Sequence, residues 1–456
     1  MDYRKSVSII FLIIFIFSIS FSCTHENSNV DNNKVKHTDW SKNATIYEVN
    51  IRQYTPEGTF KAFEEHLPRL KEMGIDILWL MPINPVGELN RKGTLGSYYA
   101  VKNYKEVNPE FGSLDDFKNL VDKCHELGMC VILDWVANHT AWDNNWTETH
   151  PEFYNKDTLG NFYPPVADWS DVIDLNYDNM MLWDFMIDAM KYWIRECDID
   201  GYRCDVAAMV PTEFWDRTRK ELDEIKNVFM LAEAGESYLH DNAFDMTYNW
   251  PLKDLMNEIA KNGKDASDLK TLFENEKTEY DIDAYRMTFT TNHDENTWHG
   301  TVFERLGESA EMFNVLTATV KGMPLVYSGQ EAGLNKRLEF FEKDPIEWKE
   351  HKFYDLFKSL FSLKHNNKAL WNGASGGEMN FINSNNEQNI LSFFREKEDN
   401  KIIALFNITE SDQTLSLNGN GLEGSYTDVF DNTEFVFPSD NVELTLHAWG
   451  YKIFVK

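Results

Sequence analysis

The sequence predicts an α/β chain: a (β/α)8 barrel carrying a small inserted domain, followed by a C-terminal β-sandwich. Three observations predict it. Between about Thr45 and Leu363, short β-rich apolar runs alternate with longer helical stretches, the pattern of parallel strands joined by helices. The runs number eight, enough to close a parallel sheet on itself. After about Ala369 the helical periodicity stops, and short strands separated by Gly/Asn turns replace it. A doubly wound open sheet is the competing architecture for the alternating part.

The elements follow in order. Arg4 and Lys5 precede an apolar run over 7–21, too short for a span of ~20 residues but suited to the core of a signal peptide. The run ends in Ser20-Phe21-Ser22-Cys23, which resembles a bacterial lipoprotein processing site despite its bulky Phe21. Residues 1–22 are therefore expected to be removed, with Cys23 lipidated and the protein anchored to a membrane of the bacterial cell envelope. An ordinary cleaved signal and an uncleaved anchor are the alternatives. Residues 23–44 form the expected tether, Asn-rich and polar at its start. Barrel strands are predicted at 46–50, 77–81, 131–135, 201–205, 228–232, 243–246, 287–291 and 325–327. The helix before the second carries Leu67, Leu70 and Met73, and the helix before the third carries Phe117, Leu120, Val121 and Cys124 on one apolar face. The barrel spans 45–368. Within it, about 140–176 is rich in Trp, Asn, Asp and Pro, too long for an ordinary connection and hence a functional excursion. Residues 369–456 make the all-β domain.

Composition narrows the function. Of 456 residues, 75 are acidic and 44 basic, a net charge of −31. Such a surface repels phosphate backbones and excludes nucleic acid as a partner. Aromatic residues, 14% of the chain with 14 Trp, suit a neutral sugar or apolar ligand. Cys124, Cys130, Cys197 and Cys204 are dispersed and lack metal-ligand spacing. They read as buried thiols, with a Cys197–Cys204 pair the alternative in an oxidising compartment.

Charged residues recur where barrel strands end. Asp134 and His139 close the third, Arg203 and Asp205 the fourth, Glu233 the fifth, and His293 and Asp294 the seventh. In a barrel of this kind the C-terminal strand ends build one pocket, so these residues are expected to converge. Three acids with an arginine and two histidines suit glycoside cleavage. A retaining hydrolase needs a carboxylate nucleophile and a protonated acid ~5–5.5 Å away. Arg203 and Asp205 alternate on one strand and share a face, so the guanidinium is expected to keep Asp205 ionised. Glu233, at the end of an apolar strand, is the candidate acid.

These residues stand in stretches that resemble the α-amylase family, glycoside hydrolase family 13, from about Tyr47 to the C-terminus. Asp134-Trp-Val-Ala-Asn138-His139, Gly201-Tyr-Arg203-Cys-Asp205, Glu233 and Asn292-His293-Asp294 are similar to its first four sequence regions, and Asp174-Leu-Asn176 to its fifth. Trp79-Leu-Met-Pro82, Gly96-Ser-Tyr-Tyr99 and Tyr327-Ser-Gly-Gln330 support the likeness. The resemblance implies Asp205 as nucleophile, Glu233 as general acid/base and Asp294 as transition-state stabiliser. It implies Arg203, His139 and His293 around the −1 sugar, with Tyr99 stacked on it. The expected substrates are α-glucans or maltooligosaccharides. A transglycosylase with the same residues, or a non-catalytic glucan-binding lipoprotein, would share the pattern.

Departures matter too. Where many α-amylases carry Lys-His after the nucleophile, this chain has Ala208 and Met209, and Asp205 is followed by Val206. With Asp174-Leu-Asn176 this resembles oligo-1,6-glucosidase-like and neopullulanase-like members, which act on short or branched oligosaccharides. The chemistry needs no cofactor. The resemblance places a Ca2+ ligand at Asn138, yet the Asp-rich loop of some calcium-binding members is replaced by Thr55-Pro-Glu-Gly-Thr59. Gly373-Ala-Ser375-Gly-Gly377 matches a serine-hydrolase pattern but lacks its strand–turn–helix setting. Trp142, Trp146, Trp169 and Trp298 are candidates for sugar stacking.

Overall fold

The computed structural model describes residues 35–456, except Asn420. The predicted signal peptide, the lipidation site at Cys23 and most of the tether lie outside the described residues. Among the described residues no helix is long and apolar enough to cross a membrane.

Eight parallel strands close a barrel: β1 (Ile46–Val49), β2 (Ile77–Leu80), β3 (Cys130–Trp135), β6 (Gly201–Cys204), β7 (Phe229–Ala232), β8 (Met246–Tyr248), β9 (Tyr285–Thr288) and β10 (Met323–Tyr327). They neighbour one another in that order, and β10 pairs back onto β1. Residues alternate in direction along each strand, and the inward set fills the barrel. Ile46, Ile77, Ile132, Phe229, Leu231, Met246 and Met287 form one dry cluster within it. The outward set, such as Tyr47, Leu78 and Met230, packs against the surrounding helices. Gly201 opens β6 because a side chain has no room there: a Cβ would lie 1.8 Å from the Phe229 carbonyl oxygen.

The structure moves three predicted elements. The sixth strand begins at Met246 rather than Ala243, because Asp245 is committed to side-chain bonds at the strand's start. Its carboxylate accepts from Met230 N at 2.8 Å and Arg219 Nη1 at 2.7 Å. The seventh strand runs over 285–288 rather than 287–291; Phe289 to Thr291 lie beyond it, where Thr290 Oγ1 bonds Asn314 at 2.8 Å. Residues 37–44 are folded rather than tether: His37 bonds Asp245 at 2.7 Å, Asp39–Asn43 is a 3-10 turn, and Trp40 and Ala44 pack against the barrel interior. Apolar Trp40 and Ala44 carry this segment into the core despite its polar neighbours.

The excursion after the third strand contains a short antiparallel pair, β4 (His139–Ala141) with β5 (Val172–Asp174). The C-terminal domain has a six-stranded antiparallel sheet, built from β11 (Met379–Phe381), β12 (Ile390–Lys397), β13 (Asn400–Asn407), β15 (Gly424–Asp428), β16 (Glu434–Phe437) and β18 (Tyr451–Val455). A two-stranded sheet of β14 (Gln413–Leu417) and β17 (Val442–Leu446) completes it. Alternation on β13 divides the labour. Ile403 and Leu405 face the domain's own core with Leu415 and Leu446, whereas Ile402, Ala404 and Phe406 join the main barrel-side cluster. Strands β11, β15 and β17 were not among those predicted; β15, Gly-Ser-Tyr-Thr-Asp, buries one large apolar side chain, Tyr426. All four described cysteines are free thiols, so Cys197 and Cys204 are not paired.

Candidate active site

The site is organised by one guanidinium. Arg203 is fully buried, and its Nη1 donates to Asp134 Oδ1 at 2.8 Å and to Asp205 Oδ1 at 3.1 Å. Its Nη2 lies 2.9 Å from Glu233 Oε2, and its Nε donates to the Tyr248 hydroxyl at 3.1 Å. The group sits over the Trp79 ring, 5.1 Å from its centroid. Three acids from three successive strands are thereby gathered on one planar donor. Arg203 does not line the cleft as the resemblance implied. It lies beneath the acids, where aromatic walls exclude water.

The backbone after Asp205 is held in an unusual state. Val206 has φ +38° and ψ +48°, a left-handed conformation that a β-branched residue adopts only under constraint. The predicted strand stops at Asp205, and nothing in the sequence marks this turn. The turn aims the Val206 N–H at Glu233 Oε2, 2.7 Å away. The same turn therefore ends the strand that carries Asp205 and fixes the carboxylate of Glu233.

On the other side, His293 Nδ1 pairs with Glu48, and its Nε2 lies 2.9 Å from the Tyr99 hydroxyl and 3.2 Å from Asp294 Oδ2. The Tyr99 hydroxyl donates to Asp134 Oδ2 at 3.0 Å, and Trp79 Nε1 donates to the same oxygen at 3.1 Å. Tyr99 and His293 are stacked with centroids 5.6 Å apart. Asp205, Glu233, Asp294, Tyr99, His139 and His293 all line one cleft of about 500 Å³, within the usual size of a small-ligand site.

Charge balance explains the titration. Burial raises Asp205 well above the ordinary carboxylate range, and Glu233, Asp134 and Asp294 push the same way. Arg203 opposes them and is outweighed, so it does not hold Asp205 low as the sequence suggested; it is shared among three acids. Burial likewise raises Glu233, with Asp294 adding to the shift. The pair therefore retains a proton more readily than two isolated carboxyls would. Burial disfavours the charged form of His293, yet Asp294 and Glu48 outweigh it and lift the group to about 9. His139 has no such partner, and burial lowers it to about 3. One histidine is thus a cation at neutral pH and the other a neutral donor or acceptor.

Some of the site was not identified from sequence. Glu48 is the clearest omission. It is wholly buried in β1 between apolar neighbours, and a lone glutamate in such a run was the available cue. Phe340 and Phe341 belong to a loop after the last barrel strand and line the cleft. Phe340 stacks on Tyr99 at 6.1 Å and meets Trp298 at 5.4 Å. Of the four candidate tryptophans, Trp169 and Trp298 line the cleft. Trp146 is core, and Trp142 anchors a loop by donating to the Ser170 carbonyl at 3.0 Å. The Gly373–Ser375 segment is a 3-10 turn with no helix following it.

The residue matched to a calcium ligand, Asn138, is buried, with its amide 3.3 Å from His139 Nδ1 and its carbonyl accepting from Leu175 N. It ties the excursion to the barrel. Among the described residues no group of three or more His, Cys, Asp or Glu side chains is arranged to hold a metal ion.

The model of the alpha amylase catalytic domain matches residues 15–164 and 152–383, and that of the maltogenic amylase C-terminal domain matches 379–453. A noncanonic maltogenic alpha-amylase from Thermotoga neapolitana is 32% identical, with a TM-score of 0.83 over 91% of this chain and 99% of that one. An alpha-amylase from Lactobacillus plantarum is 30% identical, with a TM-score of 0.81 over the same shares. A maltogenic alpha-amylase from Bacillus acidopullulyticus is 24% identical, covering 87% of this chain and 70% of the relative.

Proposed function

The chain belongs to the α-amylase family of glycoside hydrolases, and from that premise we propose that it is a retaining hydrolase of α-glucosidic bonds in starch-derived glucans or maltooligosaccharides. The observation that carries this reading is the single guanidinium of Arg203 touching Asp205 and Glu233 together, with Asp294 facing them across the cleft. Two carboxyls on one donor suit the short spacing of a double displacement. With the proton of the pair on Glu233, the ionised Asp205 attacks the anomeric carbon while Glu233 gives that proton to the leaving oxygen. Glu233, now a base, then activates water to release the sugar with its configuration retained. Asp294, which lines the same cleft, is placed to stabilise the sugar as positive charge develops. The relatives named as maltogenic amylase and cyclomaltodextrinase support hydrolysis over sugar transfer. The complete set of acids speaks against a non-catalytic binding protein. Anomer-resolved product analysis on maltooligosaccharides, panose and pullulan tests the reading: newly formed α-anomers are expected, and β-anomers or no products would overturn it.

The acids supply the chemistry without a cofactor, so activity is expected to stay within twofold after chelation; a larger loss that calcium restores would return Asn138 to a ligand role. Cys23, following the basic start and apolar run of residues 1–22, supports export and lipid anchoring. Cys23→Ser is expected to move the protein out of the membrane fraction with its specific activity intact. Continued sedimentation with membranes would favour an uncleaved anchor.

A further inference from the structure

The mouth of the barrel is built unevenly. The loops after β10, β2 and β3 are tied together at the cleft. Leu95 N donates to the Phe341 carbonyl at 3.1 Å, and Thr94 N donates to Glu342 Oε1 at 2.8 Å. Gly93 sits so close to Phe341 that a Cβ there would lie 2.5 Å from the Phe341 Cβ. These contacts join the β2 loop to the β10 loop. Lys92 joins it to the β3 excursion: its Nζ donates to the Asp168 carbonyl at 2.6 Å and pairs with Asp171 Oδ1 at 3.1 Å. Asp171 is 6% exposed, so this ion pair is partly withdrawn from solvent and stronger than a surface pair. Lys92, Asp168, Asp171 and Phe341 all line the cleft.

Among the described residues, the loops after β6 and β7 carry no such tie across the cleft. After β6 the chain makes one short turn, Ala207–Met209, with Ala208 and Met209 exposed. After β7, Glu236 and Tyr238 are exposed. Around the barrel β7 stands four strands from β1, and so faces the tied loops across the mouth. Glu233 follows β7. An acid that protonates the leaving oxygen must stand on the leaving-group side. The leaving sugar therefore extends toward the open side, and the sugars bonded to the nucleophile extend toward the tied loops.

We propose that Lys92, by tying the β2 loop to Asp168 and Asp171, closes the glycone end of the cleft and makes the enzyme selective for the non-reducing ends of α-glucans and for short oligosaccharides. This rests on the α-glucan hydrolase reading above. Lys92 acts as a specificity-determining residue: it limits how many sugars can lie beyond the scissile bond and takes no part in bond breaking.

The test compares a maltoheptaoside carrying a bulky acetal on O4 and O6 of its non-reducing sugar with the unblocked compound. The native enzyme is expected to cleave the blocked compound at least 20-fold more slowly. Lys92→Met keeps the side-chain length but removes the tie, and Lys92→Ala removes both. Each is expected to shrink the ratio at least fivefold and to lengthen the products released from the non-reducing end, while Lys92→Arg preserves the ratio. A general loss of packing would lower both rates together and leave the ratio unchanged. Equal cleavage of both compounds by the native enzyme, or an unchanged ratio in Lys92→Met and Lys92→Ala, would overturn the proposal. Failure of the native enzyme to cleave either compound would instead overturn the hydrolase reading and this proposal with it.

Discussion

Along β7 the barrel changes character within two residues. Leu231 points inward and is wholly buried in the dry cluster, while Glu233, on the same face one step further, enters the acid cluster. The change repeats from Ile46 to Glu48 and from Ile132 to Asp134. The lower barrel is apolar packing that stabilises the fold. The upper end crowds Glu48, Asp134, Asp205, Glu233 and Asp294 around Arg203 and His293, so burial opposes charge there. One sheet therefore carries a stabilising half and a half that costs stability in return for chemistry.

The sharpest way to separate the halves is Asp205→Asn. Turnover is expected to fall by about 10⁴-fold or more, as when a covalent nucleophile is removed. Stability should move the other way. The folded-state pKa of Asp205 is raised above its unfolded value, so at pH 7 its ionisation costs stability that Asn does not incur. The melting temperature at pH 7 is expected to equal or exceed that of the native chain, with the difference shrinking as pH falls toward ~4 and gone below it, where the unfolded carboxyl is protonated too. A destabilised Asp205→Asn would show that the nucleophile belongs to the stabilising half.

Glu233→Gln comes next. Loss of general acid–base help is expected to slow natural glucans by about 10²–10⁴-fold. Glucosyl fluoride, whose leaving group needs no proton, should be slowed much less in its first step. Equal losses on both substrates would make Glu233 a structural acid held by Val206 N–H and Arg203.

How far this division was visible in the sequence depends on the kind of signal. The alternation of short apolar runs with helical stretches exposed the barrel, because inward and outward positions of its strands are both apolar low in the barrel and acids appear only at strand ends. The convergence of Asp205, Glu233, Asp294, His139 and His293 followed from those ends. Glu48 escaped because its partner, His293, lies 245 residues away, and pairing at that distance leaves no local pattern. The left-handed turn at Val206 escaped because valine by itself favours extended backbone; the bond to Glu233 overrides that preference. The rim loops were unreadable for a similar reason. Lys92, Asp171 and Phe341 come from three segments, and nothing local in any one of them announces the other two.

A substitution in the lower half should show the reverse of Asp205→Asn. Leu231→Ala removes a wholly buried side chain from the barrel interior, and such changes cost about 2–5 kcal/mol. Denaturant unfolding is expected to register that loss, while kcat on maltotriose, measured where the variant remains folded, stays within about threefold. A large fall in kcat at full folding would mean that the apolar layer transmits its packing to Glu233, two residues on, and the halves would not be separable.

The smallest expected effect is a pH dependence that distinguishes two histidines of the charged half. His139 is lowered to about 3 in the fold. Below pH ~6.5 the unfolded chain therefore takes up a proton that the folded chain refuses, and stability declines as pH falls. His293 is raised to about 9. Its contribution is complete below ~6.5 and is lost as pH rises toward 9. Together they place a stability maximum near pH 6.5. Glu48→Gln removes one of the two carboxylates that support the His293 cation, so its pKa should fall. The decline above pH 6.5 should then become shallower and end at a lower pH, with the acid side unchanged. Were the alkaline decline to keep its slope in Glu48→Gln, Asp294 alone would be holding the charge on His293, and Glu48 would belong with the packed half of the strand beneath it.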